Sequence, residues 1–99
     1  MTTTTERESY VKRASRSLDA WGERLVDLRK RVEREAGDAK VELERRLEDL
    51  ETAKDRAAKR LERAGERGAD NFDRARDEAE SAFSEFRDGV ARAFEELRK

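Results

Sequence analysis

The chain has 99 residues, of which 49% are charged and 34% apolar, and it contains no proline, cysteine or histidine. That length suits one small domain, and so lean an apolar fraction suits a coiled coil or helical bundle better than an ordinary globular core. Lys and Arg number 24 against 25 Asp and Glu, a formal net charge of −1, so the basic surplus that a nucleic acid selects is missing. The lack of Cys excludes disulfides and thiolate chemistry, and the lack of His removes the commonest general base and metal ligand.

The opening Met1-Thr2-Thr3-Thr4-Thr5 reads as a disordered polar tail without the apolar region of a secretory signal, and a cytoplasmic protein is the expectation. Thr5 and Glu8 form a capping box, which predicts that a helix starts there. Val11, Ala14, Leu18, Trp21, Leu25, Leu28 and Val32 then alternate by three and four residues, a heptad seam.

Beyond Val32 the rhythm loosens through Ala36, Ala39, Leu43, Leu47 and Leu50, then settles into steps of three, four and four from Leu61. Leu28, Ala39, Leu50, Leu61, Phe72, Phe83 and Phe94 recur at eleven-residue intervals, three turns of helix, so they fall on one narrow line. Acid-before-base pairs four apart, such as Glu42 with Arg46 and Asp88 with Arg92, agree with helix throughout.

Breaks are few. Gly65 and Gly68, followed by Asp70 as a candidate N-cap, predict a break near residues 65–70. Gly37-Asp38 is a weaker turn signal. The expected fold class is therefore all-α: long amphipathic helices in a coiled coil or helical hairpin. A single domain spans 6–99, with helices at 6–64 and 70–98. The shorter second helix would leave the front of the first uncovered. Val11, Leu18, Trp21, Leu25, Leu28 and Val32 are thus predicted as a self-association seam of a homo-oligomer. Leu47, Leu50, Leu61, Phe72, Phe83, Phe86, Val90 and Phe94 are predicted as the helix-packing seam. A compact three-helix monomer, broken also at Gly37, is the one arrangement that would need no second subunit.

No catalytic, cofactor or metal site emerges. Without His, no Glu-x-x-His ligand pair can form, and no phosphate-binding glycine loop follows a strand. Carboxylates one turn apart, as at Glu44 and Glu48, read as a wet surface. A membrane or hydrophobic surface is a less favoured partner, because the polar face mixes acids with bases instead of gathering Lys and Arg.

Tyr10, then Trp21, Leu25 and Leu28, with Ala39-Lys40, Leu47, Leu50, Leu61, Phe72, Phe86-Arg87-Asp88-Gly89-Val90, Phe94 and Leu97, resemble a family of small bacterial coiled-coil stress-response proteins. The chain departs from that pattern with Phe72 where Trp is usual and with Arg preferred to Lys. The resemblance implies an all-helical, cytoplasmic, non-enzymatic protein linked to stress, and it brings no catalytic residues. The reading is a non-catalytic oligomeric scaffold or protective protein. Its alternatives are an amphipathic coat for membranes or hydrophobic granules, and an adaptor for one partner protein.

Overall fold

A computed structural model describes residues 4–66 and 71–98. Three helices run through the described residues: α1 (Thr4–Val32), α2 (Gly37–Ala64) and α3 (Phe72–Leu97). They pack side by side in a rod of 53 × 17 × 17 Å. The all-helical fold expected from the periodicity is the one the chain adopts.

The predicted helix over 6–64 is not continuous. At 1.5 Å per residue it would measure about 88 Å, far beyond the long axis of the bundle. The chain turns back at residues 33–36, where Ala36 is extended (φ −139°, ψ 161°) and Gly37 takes φ +70°. Glycine reaches that left-handed region without the side-chain clash other residues suffer. Folding back is favourable because it gives the stripe of α1 an internal partner. Full burial of one large apolar side chain is worth roughly 1.5–3 kcal/mol, and several are gained here.

The predicted boundary at Ala64 coincides with the end of α2. α3 starts at Phe72 and not at 70, with Asn71 before it and no side-chain cap; Asp70, the expected cap, lies outside the described residues. α1 already includes Thr4 and Thr5, so the helix begins before the predicted start, and only residues 1–3 of the expected tail fall outside the description.

One core joins all three helices. Leu18, Leu25, Leu28 and Val32 of α1 meet Leu43, Leu47, Leu50 and Ala57 of α2 and Ala82, Phe86, Val90 and Ala93 of α3. Phe86, Leu28 and Val90 are fully enclosed. A second cluster, at the other end, joins Ala64, Phe72 and Ala75 with Tyr10 beside them.

The eleven-residue ladder meets the buried interior only in part: Leu28, Leu50, Leu61 and Phe72 are buried, and Ala39, Phe83 and Phe94 are not. A straight helix at 3.6 residues per turn rotates about 20° further with every eleven residues, so the line drifts. In α3 the drift moves Phe83 and Phe94 to the edge, while Ala82 and Ala93 take the interior. Ala39 is exposed. The pairs Arg46–Glu96, Arg56–Glu85 and Arg60–Glu78 set an antiparallel register in which Ala39 lies past the end of α3.

Candidate functional site

The three seams between helices are held differently. Across α1 and α2, Arg29 pairs with Glu51. Across α2 and α3, Arg46 reaches Glu96 at 2.5 Å, Arg60 reaches Glu78 at 2.9 Å and Arg56 reaches Glu85 at 3.8 Å. Arg46 therefore bonds a neighbouring helix instead of Glu42, and Asp88 lies against Arg87 instead of Arg92. Each of these half-exposed pairs contributes roughly 0–1 kcal/mol.

The α1–α3 seam uses aromatic rings instead. Arg31 of α1 lies 5.8 Å from the Phe94 ring centroid. Phe72 is flanked by Arg7 and Arg76, both at 5.8 Å, and meets Tyr10 edge-on at 6.0 Å. Arg24 covers Trp21 at 4.5 Å, and Arg87 covers Phe83 at 5.8 Å. A guanidinium over a ring face contributes roughly 0.5–1 kcal/mol at such sites. At these five positions the planar guanidinium of Arg suits a ring face.

Midway along this seam the packing opens into a groove of about 270 Å³. Leu18, Ala57, Leu61, Ala79 and Phe83 form its apolar floor, and Tyr10, Arg13, Ser17 and Glu80 form its rim. The space exists because Ala14, Ala57 and Ala79 stand where larger side chains would meet. Burial raises the Tyr10 hydroxyl above its usual pKa, Glu80 and Asp77 push the same way, and Arg76 opposes them.

The residues predicted as a self-association seam lie inside a single chain. Leu18, Leu25, Leu28 and Val32 are buried in the shared core, Trp21 packs on its edge, and Val11 lies against Gly65 at the end of α2. Leu18, Leu25, Leu28 and Val32 are covered within one chain by α2 and α3, whereas Val11 and Trp21 stay partly exposed. Of the predicted helix-packing seam, Leu47, Leu50, Phe86 and Val90 belong to the same core, and Phe83 and Phe94 flank it. Phe72 anchors the second cluster, and Leu61 is buried and floors the groove.

The groove itself was not predicted, nor were Arg13, Ser17 and Glu80. The arginines over Trp21, Phe72 and Phe83 were partly readable, since Arg24, Arg76 and Arg87 follow their rings by three or four residues. Arg7 and Arg31 reach rings on another helix and leave no such trace. Among the described residues no group of three or more acidic side chains could hold a metal ion, and no helix is long and apolar enough to cross a membrane. No family model matches the chain, and no curated protein or solved structure matches it.

Proposed function

We propose that this protein is a non-catalytic helical scaffold or protective protein, acting through its surface in the stress setting that its resemblance implies. The observation that supports this is the division of labour between core and surface. Among the described residues none with a polar or charged side chain is buried as a whole; the guanidiniums of Arg7, Arg24 and Arg31 lie against aromatic rings, and Nε of Arg7 is shut from water there without a hydrogen-bond partner. Large apolar side chains left exposed there are Val26 and Val41, on different helices. A small self-contained core under a dense mixed-sign shell stays soluble and keeps unfolding neighbours apart by its hydrated bulk.

The test is light scattering from a heat-labile enzyme, such as malate dehydrogenase, warmed with an equimolar amount of this protein. Scattering well below that seen with the same mass of serum albumin is expected. Equal scattering overturns the protective reading.

The groove beside Tyr10 and Phe83 favours a second reading, an adaptor that docks one partner segment. It predicts one stoichiometric companion on purification, lost when Ala79→Leu fills the groove. The coat reading predicts that the native protein floats with anionic vesicles. Because the apolar stripes are packed on one another, a coat would first have to open the bundle, and flotation is not expected.

A further inference from the structure

The turn between α1 and α2 is built from residues that prefer to be helical. Residues 33–36 are Glu33-Arg34-Glu35-Ala36, with no Pro, Ser, Asn or Asp among them. Backbone bonding of helical type runs on through the turn: Glu33 N–H donates to Arg29 C=O at 3.0 Å, and Glu35 N–H donates to Val32 C=O at 3.0 Å. At Ala36 the backbone is extended, and at Gly37 it is left-handed. The residue capping α2 is Ala36, which makes no side-chain cap bond, and alanine is among the poorest choices for that position.

The apolar stripe also runs straight across this turn. Leu25, Leu28 and Val32 continue as Ala36, Ala39, Leu43, Leu47 and Leu50 at steps of three and four. In the bundle Ala36 and Ala39 are exposed, so their places on the stripe serve nothing there. In one continuous helix they would lie on the buried line.

We propose that α1 and α2 straighten into a single helix and that two copies of this chain exchange α1. Each α1 then packs against the partner's α2 and α3, making the contacts it makes at home. Two long helices run antiparallel, and Ala36 and Ala39 of both copies meet at the two-fold axis, where small side chains allow close approach. Because the exchanged contacts equal the lost ones, the balance is set by the turn and by chain concentration, as in other domain exchanges. This proposal is independent of the function argued above.

Two substitutions at the hinge push in opposite directions. Gly37→Ala meets nothing within 4 Å, so its only penalty in the hairpin is the backbone at φ +70°. That penalty disappears in a straight helix, where alanine is preferred, and the two effects together favour the straight form by roughly thirty- to a hundredfold per chain. Asp38→Pro is tolerated in the first turn of α2, whose amide needs no partner, but interrupts a continuous helix, on the order of a hundredfold against it per chain.

Both variants and the wild type are refolded at micromolar and millimolar chain concentration. Mass is read by light scattering and length by small-angle scattering. Spin labels on Ala20→Cys and Ala58→Cys, diluted with unlabelled chain, give the intrachain distance. The Gly37→Ala protein is expected as a dimer holding a helix over Thr4–Ala64 of about 92 Å, with labels about 57 Å apart at 1.5 Å per residue. The Asp38→Pro protein is expected to remain a monomer at both concentrations. A Gly37→Ala protein that stays monomeric at millimolar concentration overturns the proposal. So does a dimer whose labels keep the hairpin spacing, since that would be a surface contact between unopened bundles.

Discussion

Gly22 and Gly89 both lie inside helices, and helix propensity alone predicts that alanine at either site stabilises by about 1 kcal/mol. The tertiary structure predicts opposite signs. A Cβ on Gly89 would stand 2.5 Å from Cδ2 of Leu50, a side chain with only 7% of its surface exposed. Leu50 cannot leave without opening the α2–α3 core, so the repacking cost of about 1–3 kcal/mol outweighs the gain. A Cβ on Gly22 would meet Cε and Nζ of Lys54 at 3.1 Å. These atoms are the far end of a flexible chain, which swings aside at little cost. Gly89→Ala should therefore lose about 1 kcal/mol net and Gly22→Ala should gain about 0.5–1 kcal/mol. For a domain of this size each kcal/mol moves the melting temperature by roughly 4–8 °C. Thermal and urea unfolding, followed by circular dichroism at micromolar concentration, measure both. A double-mutant cycle sharpens the test: in a Leu50→Ala background, Gly89→Ala should turn stabilising, because the clash is gone. If Gly89→Ala stabilises the wild-type protein as much as Gly22→Ala does, the close approach of α2 and α3 at this point is wrong.

Two further outcomes are expected. Tyr10 is the sole tyrosine, so its ionisation can be followed by ultraviolet absorbance. Its midpoint should lie above 10 in the folded protein and return to about 10 in denaturant. The unfolded chain then releases this proton first as pH rises, so stability falls above pH 10 through the folded pKa, and Tyr10→Phe should remove that part of the fall. Leu25→Asp places an unpaired charge in a site only 3% exposed and should cost about 4 kcal/mol or more, unfolding much of the population instead of merely separating subunits. Val26→Asp next to it, at a site 45% exposed, should stay within about 0.5 kcal/mol; equal losses at both positions would show that the inward face of α1 is misassigned.

Helix content, the inward face of each helix and the end of α2 at Ala64 were legible in the sequence. Each depends on neighbours within three or four residues, and periodicity records exactly that range. Leu25, Leu28, Leu47, Leu50, Phe86 and Val90 are apolar at the spacing that a one-sided helix requires, whatever covers them. What covers them could not be read in the same way. The turn at 33–36 consists of helix formers, and the stripe crosses it in phase. It bends because, within one chain, the α1 stripe can be buried only by folding back against α2 and α3. That burial sums over the whole chain and has no local signature except Gly37. The cross-helix partners of Arg7, Arg31, Arg46, Arg56 and Arg60 follow from the same register, as does the groove that Ala14, Ala57 and Ala79 leave open. Local spacing settled which side of each helix avoids water, and only the packing of helix on helix decided that the chain could supply its own cover.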